Sequence, residues 1–264
     1  MSGRRARRVL ALPIGAAALA VVVLTTIAVA ARLDVTAKAV TVYEAAVTVP
    51  GPSFVKHVGS ATCSGGTTQA VAVPGAGVAA GNTLVVRVYN RPGNAGTVSA
   101  TDSAGNTYAV DVNRTLASSG RLVLLSAHVT TALSSGNTIT VTFPGANDAT
   151  SVAVDEFTGI TSSSRVDVAN SATGSGSSAS AGLTTTVAST LVLGALGLDT
   201  ATTVSEPAQF AALTRITFGC GGGKGTGTNH AAYRIVSATG ANTYNPSLGA
   251  NVNWIDDIVA YKGA

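Results

Sequence analysis

The sequence predicts an all-β fold of two stacked sheets behind an N-terminal hydrophobic segment, and three observations lead there. Apolar residues alternate with Thr and Ser at a period of two, Gly-Asn-Thr turns recur before the alternating runs, and no helical period of useful length appears after residue 53. Of the 264 residues, 46% are hydrophobic and only 11% charged, so the chain can bury a sizeable core. Val and Thr dominate the alternating runs because their branched Cβ suits a pleated, half-buried surface better than a helix.

The leader comes first in the chain. Arg4, Arg5, Arg7 and Arg8 precede Val9 to Ala31, a stretch without charge that Arg32 ends. As a helix, those residues would span roughly 34 Å, enough for a bilayer core of about 30 Å. The arginine bias sets the N-terminus in the cytoplasm and the remainder outside. Two readings share that topology. In one, residues 1–31 are a signal peptide, with Ala28-Val29-Ala30 offering the small residues of a cleavage site between Ala30 and Ala31. In the other, the segment stays as a single transmembrane anchor. Arg7-Arg8 also faintly matches a twin-arginine export signal. Both readings place the rest of the chain outside the cytoplasm, secreted or anchored to the cell membrane.

The formal charge of +4 belongs to this leader. Without its four arginines, 12 basic residues face 12 acidic ones, which removes any argument for nucleic-acid binding.

Residues 32–52 read as a tether in which Val40 to Val49 could pair as a strand before Pro50-Gly51-Pro52 interrupts it. Residues 53–264 read as one β-sandwich domain. Its clearest strands are Thr83 to Tyr89, Thr138 to Phe143 and Ser151 to Phe157. Further strands are expected at Phe54 to Ala61, Thr68 to Val73, Thr97 to Thr101, Thr107 to Val112 and Arg121 to Val129. The second half adds Arg165 to Asn170, Leu183 to Val187, Thr190 to Leu198, Phe210 to Phe218, His230 to Ala238 and Trp254 to Tyr261. Gly81-Asn82, Gly105-Asn106 and Gly136-Asn137 each tolerate positive φ and so launch strands from tight turns. The Ser/Gly/Ala tract from Ser171 to Gly182 reads as a long surface loop within a single sandwich, because neither half alone promises enough strands to cover its core.

The runs Thr83-Leu-Val-Val, Val98 to Tyr108, Asn137 to Phe143 and Val154-Asp-Glu-Phe-Thr-Gly-Ile160 carry a resemblance. Over roughly Phe54 to Lys262 the chain resembles a family of jelly-roll-like β-sandwich modules of secreted or surface bacterial proteins, often found beside fibronectin type III modules. The resemblance implies a two-sheet sandwich of jelly-roll type and a surface module without established chemistry; it supplies no catalytic residues.

Candidate chemistry is sparse. Cys63 and Cys220 are the only cysteines, both beyond the leader, and are expected to pair as one disulfide in an oxidising compartment. Gly219 to Thr226 brushes against a phosphate-binding loop, but Phe218 and Gly225 stand where that motif needs Gly and Ser or Thr. Asp155-Glu156 and Asp256-Asp257 bring paired carboxylates to mind, yet neighbours on a strand project to opposite faces, so only a cross-pair such as Glu156 with Asp257 could flank a glycosidic bond. His57, His128 and His230 have no metal-ligand spacing. No cofactor is expected; Asp102 to Asn106 is the one place where calcium is conceivable, with ordinary Asx-turn chemistry as the plainer account. For binding, Tyr244 and Trp254, near Asn251 and Asn253, are the candidate ligand residues, because rings and amides together suit carbohydrate. The expectation is therefore a non-enzymatic extracytoplasmic surface module acting in adhesion or glycan binding, its partner an extracellular glycan or protein, with the membrane added if the leader is uncleaved. A secreted or anchored polysaccharide hydrolase and a purely structural surface protein are the alternatives.

Overall fold

A computed structural model describes residues 32–36 and 39–43 as strands, and residues 50–264 apart from 118, 148, 223 and 224. The leader, with its Ala30/Ala31 junction and expected helix, lies outside the described residues. Strands β1 (Arg32–Thr36) and β2 (Ala39–Tyr43) pair antiparallel with each other. All remaining strands belong to one compact unit, Val49–Ala264. Among the described residues there is no helix, so none is long and apolar enough to cross a membrane.

The alternating runs become strands in two successive sets. The first comprises β3 (Ser53–Thr62), β4 (Thr68–Ala72), β5 (Thr83–Arg91), β6 (Ser99–Asp102), β7 (Tyr108–Leu116), β8 (Gly120–His128), β9 (Thr138–Thr142) and β10 (Ala149–Thr158). They form a five-stranded sheet, β3-β10-β5-β8-β7, and a three-stranded sheet, β4-β9-β6. The second set comprises β11 (Val166–Ser178), β12 (Ala181–Thr185), β13 (Thr190–Leu198), β14 (Val204–Ser205), β15 (Ala211–Ala212), β16 (Ile216–Gly219), β17 (Thr226–Val236), β18 (Gly240–Tyr244) and β19 (Ser247–Lys262). Its large sheet runs β11-β19-β13-β17-β15, with β14 on β19 and β16 on β17, and β12 pairs separately with β18.

The two sets repeat one another. Within each, the large sheet reads first, eighth, third, sixth and fifth strand, counting β15 and β16 together as the fifth, and the second strand pairs with the seventh outside it. The all-β expectation therefore holds, but with more sheets than the two expected from the sequence.

Three apolar layers follow. Leu84, Val86, Val88, Val123, Val152 and Val154 face Val71, Ile139 and Val141 between the five- and three-stranded sheets. Val85, Leu122, Leu124 and Phe157 face Leu191, Leu193, Ile255, Val259 and Tyr261 between the two large sheets. Val192, Leu196, Ile258 and Ala260 turn the other way, toward Leu183, Phe210 and Tyr244. Strands β5, β8, β10 and β13 are thus buried on both faces, which explains unbroken apolar runs such as Leu84-Val85-Val86 and Leu191-Val192-Leu193.

The tract expected to be a loop, Ser171 to Gly182, is instead most of β11, paired with β19, and the start of β12, paired with β18. Small residues are needed there for packing. A Cβ on Gly174 would lie within 3.0 Å of the Trp254 ring, so only glycine lets the indole rest on the strand.

Candidate functional site

Cys63 and Cys220 form the expected disulfide, with their Cα atoms 5.3 Å apart. Cys63 leaves β3 and donates its N–H to Thr150 O at 2.9 Å, while Cys220 leaves β16 and donates to Gly225 O at 3.0 Å. The bridge therefore ties the first strand set to the second across a sequence separation of 157.

The paired carboxylates disperse into separate layers. Glu156 points into the first layer, where it accepts from Ala79 N (3.0 Å) and Asn82 Nδ2 (2.6 Å) and pairs with Lys56 at 3.2 Å. Its neighbour Asp155 turns to the opposite face, held by Arg87 Nε at 2.9 Å and His57 Nδ1 at 2.8 Å. Arg87 is fully buried and also donates to Thr214 O at 3.1 Å, so this ion pair joins the two strand sets. Asp256 and Asp257 follow the same alternation: Asp257 shares the face of Ile255 and Val259, and Asp256 that of Ile258 and Ala260. Both are fully buried, and desolvation pushes both carboxyls well above the usual range; Asp256 is raised further by Asp257, and Asp257 is partly relieved by Arg114. Glu156 and Asp257 thus occupy different layers and do not flank a common cleft.

On the outer side of the second large sheet, His230 hydrogen-bonds Glu206, and the Tyr244 hydroxyl lies in the field of Glu206 and Asp256. Burial raises the Tyr244 pKa well above that of an ordinary phenol. Tyr244 is fully enclosed, its ring 5.1 Å from that of Phe210 and against Gly194. Trp254 is half-buried against Gly174 and the same apolar layer. His57, His128 and His230 lie on β3, β8 and β17, and among the described residues no three His, Cys, Asp or Glu side chains are grouped to hold a metal ion. Asp102 closes a turn by accepting from Ala104 N (3.0 Å), Asn106 N (3.1 Å), Asn106 Nδ2 (3.0 Å) and Tyr108 Oη (2.9 Å). Its carboxylate is engaged by these four donors.

An open polar concavity lies next to Trp254 in sequence, at Asn253. A concavity of about 470 Å³ is lined by Ser175, Gly176, Asp199, Thr200, Asn251, Val252 and Asn253, where β13 ends opposite β11 and β19. The register sets Leu198 against Trp254, so Asp199 meets Asn253 just past the last rung. Asp199 accepts Asn253 N at 3.2 Å and Asn253 Nδ2 at 2.7 Å, and its own N–H donates to Asn253 O at 3.3 Å. Thr200 Oγ1 adds a bond of 3.3 Å. These bonds hold carboxylate, amide and hydroxyl in fixed positions on an exposed rim, a set that can both accept from and donate to ligand hydroxyls. Asn251 and Asn253 belong to the polar company noted in the sequence; Asp199 and Ser175 arrive from other strands, and nothing in the local sequence marks them.

A second concavity of about 420 Å³ is lined by Arg91, Gly219, Cys220, Gly221, Gly225 and Thr226. Arg91 Nη1 donates both to Asp199 O (2.8 Å) and to Thr226 O (2.9 Å), so one guanidinium links a lining residue of each hollow.

No protein-family model, curated protein or solved structure matches the chain.

Proposed function

We propose that this chain is a non-enzymatic extracytoplasmic surface module, jelly-roll in type within each strand set, that binds glycan at the rim built around Asp199 and Asn253. The observation that carries the reading is the open concavity lined by a carboxylate, two asparagine amides and two hydroxyls. Hydroxyl-rich ligands need this mixture of acceptors and donors in fixed positions. The Cys63–Cys220 disulfide supports the extracytoplasmic part, because such bonds persist where the surroundings are oxidising. On this reading residues 1–31 export the chain, as a signal cut before Ala31 or as a retained anchor, residues 32–52 tether it, and residues 53–264 carry the site. The ring contribution sought from Tyr244 and Trp254 becomes structural: Tyr244 is enclosed and Trp254 seats β11 against β19.

A glycan array probed with the purified protein tests the proposal. Binding is expected, and Asn253→Ala, which deletes an exposed amide without touching any apolar layer, is expected to weaken it at least tenfold. No binding to any glycan at high protein concentration, or binding indifferent to Asn253→Ala and Asp199→Ala, refutes it.

A further inference from the structure

The Asp199 concavity has a neighbour that the glycan reading leaves unused. Arg91, which lines the second hollow, donates to the carbonyl of Asp199 in the first and to that of Thr226 in the second. Arg91 thus ties together one backbone carbonyl from the lining residues of each hollow. Each is as large as a small-ligand site, and neither is enclosed. Half of the second hollow's lining is glycine: Gly219, Gly221 and Gly225 bear no side chains, so a ligand can approach the backbone closely there, while Gly225 O is taken by Cys220 N and Thr226 O by Arg91. The disulfide anchors Cys220, and Cys220 N donates to Gly225 O. A Cβ on Gly221 would meet nothing within 4 Å, so space is open above that residue.

Resting on the glycan reading, we infer that the two hollows are successive subsites of one cleft and that the ligand class is a linear oligosaccharide rather than a single sugar. A polar, open hollow holds one sugar unit weakly, because each hydroxyl it binds was already bonded to water. A second unit covalently joined to the first binds without a further loss of translational freedom, so affinity rises with chain length until both hollows are filled. On this inference the linkage between units passes Arg91, whose Nη1 holds the Asp199 and Thr226 carbonyls.

The test is calorimetric titration of the purified full chain with the cello-, chito- and malto-oligosaccharide series, each from one to six units. In at least one series, affinity is expected to rise tenfold or more between the shortest ligand and the longest. Gly221→Tyr, which adds a ring to a lining residue of the second hollow whose Cβ would meet nothing within 4 Å, is expected to abolish that rise. Arg91→Ala is expected to cut it, and reads the same ratio should Gly221→Tyr not yield a folded, disulfide-bonded protein. Binding without dependence on length, or a rise that persists in the folded variant, overturns the two-subsite inference alone. No binding by the unmodified protein in any series counts against the glycan reading itself.

Discussion

Reducing the single disulfide offers the sharpest stability test. Cys63 and Cys220 are 157 residues apart in sequence, so the bridge removes a long loop from the unfolded ensemble. The loop-entropy relation gives roughly 5 kcal/mol for a loop of that length, against a total stability of about 5–15 kcal/mol for a typical domain. The bridge also joins the end of β3 to the segment after β16, so reduction frees the first strand set from the second at one edge. Reduction is preferable to substitution because both sulfur atoms stay, and no cavity opens around Cys220, which is buried in the layer between the large sheets. Urea unfolding followed by far-ultraviolet dichroism, with and without reductant, measures the difference. With a slope of about 2 kcal/mol/M, the midpoint should fall by roughly 2 M, and the thermal midpoint by about 10–20 °C. A midpoint change below about 0.5 M would show that the unfolded chain gains little from the missing link, and the entropic argument would fail. Alkylation of two thiols without any reductant would remove its premise.

Two further outcomes follow from burial and close packing. Asp256 and Asp257 have folded-state pKa values raised by desolvation, so between the unfolded and folded values the native state binds more protons than the unfolded one. Their stabilising protonation is fully present below about pH 4 and is lost as pH rises through the raised values. Urea midpoints should accordingly decline from mildly acidic toward alkaline pH, and Asp256→Asn or Asp257→Asn should flatten the decline; an unchanged profile in both variants would show that the buried acids do not govern it. Gly194→Ala places a methyl within 3.0 Å of the Tyr244 ring, between fully buried neighbours, and should cost about 1–3 kcal/mol, whereas Gly75→Ala, with nothing near its Cβ, should change the melt by less than about 0.5 kcal/mol. Equal melting for the two variants would contradict the packing described here.

Much of the strand map was legible because the residues that build a pleat also announce it. Thr190 to Leu198 coincides with β13, and Thr83 to Tyr89 lies within β5. The repeat of the two strand sets was not legible, because period-two alternation reports which residues share a face but not which strands neighbour one another. A stronger signal was present in Leu84-Val85-Val86 and Leu191-Val192-Leu193: apolar residues on both faces mean a strand covered on both sides, which a single two-sheet sandwich does not provide. The tract Ser171 to Gly182 misled for the opposite reason. Ser and Gly resemble loop composition, yet the tract forms strand, and at Gly174 the missing side chain makes room for Trp254, eighty residues later in the chain. Of the site, Asn251 and Asn253 could be picked out beside Trp254, while Asp199 could not, since its role depends on where β13 ends against β19.

The sequence by itself determined the class of this protein: strand-forming residues at a period of two, turns of Gly and Asn, and two cysteines placed to pair. Those properties are local, or need only a count, and so survive without coordinates. Only the tertiary structure decided that there are two like strand sets, that apolar layers cover both faces of β10 and β13, and that an open polar rim forms around Asp199 and Asn253. Each of these depends on strand order, and strand order is settled by which apolar faces can cover one another once the whole chain has collapsed.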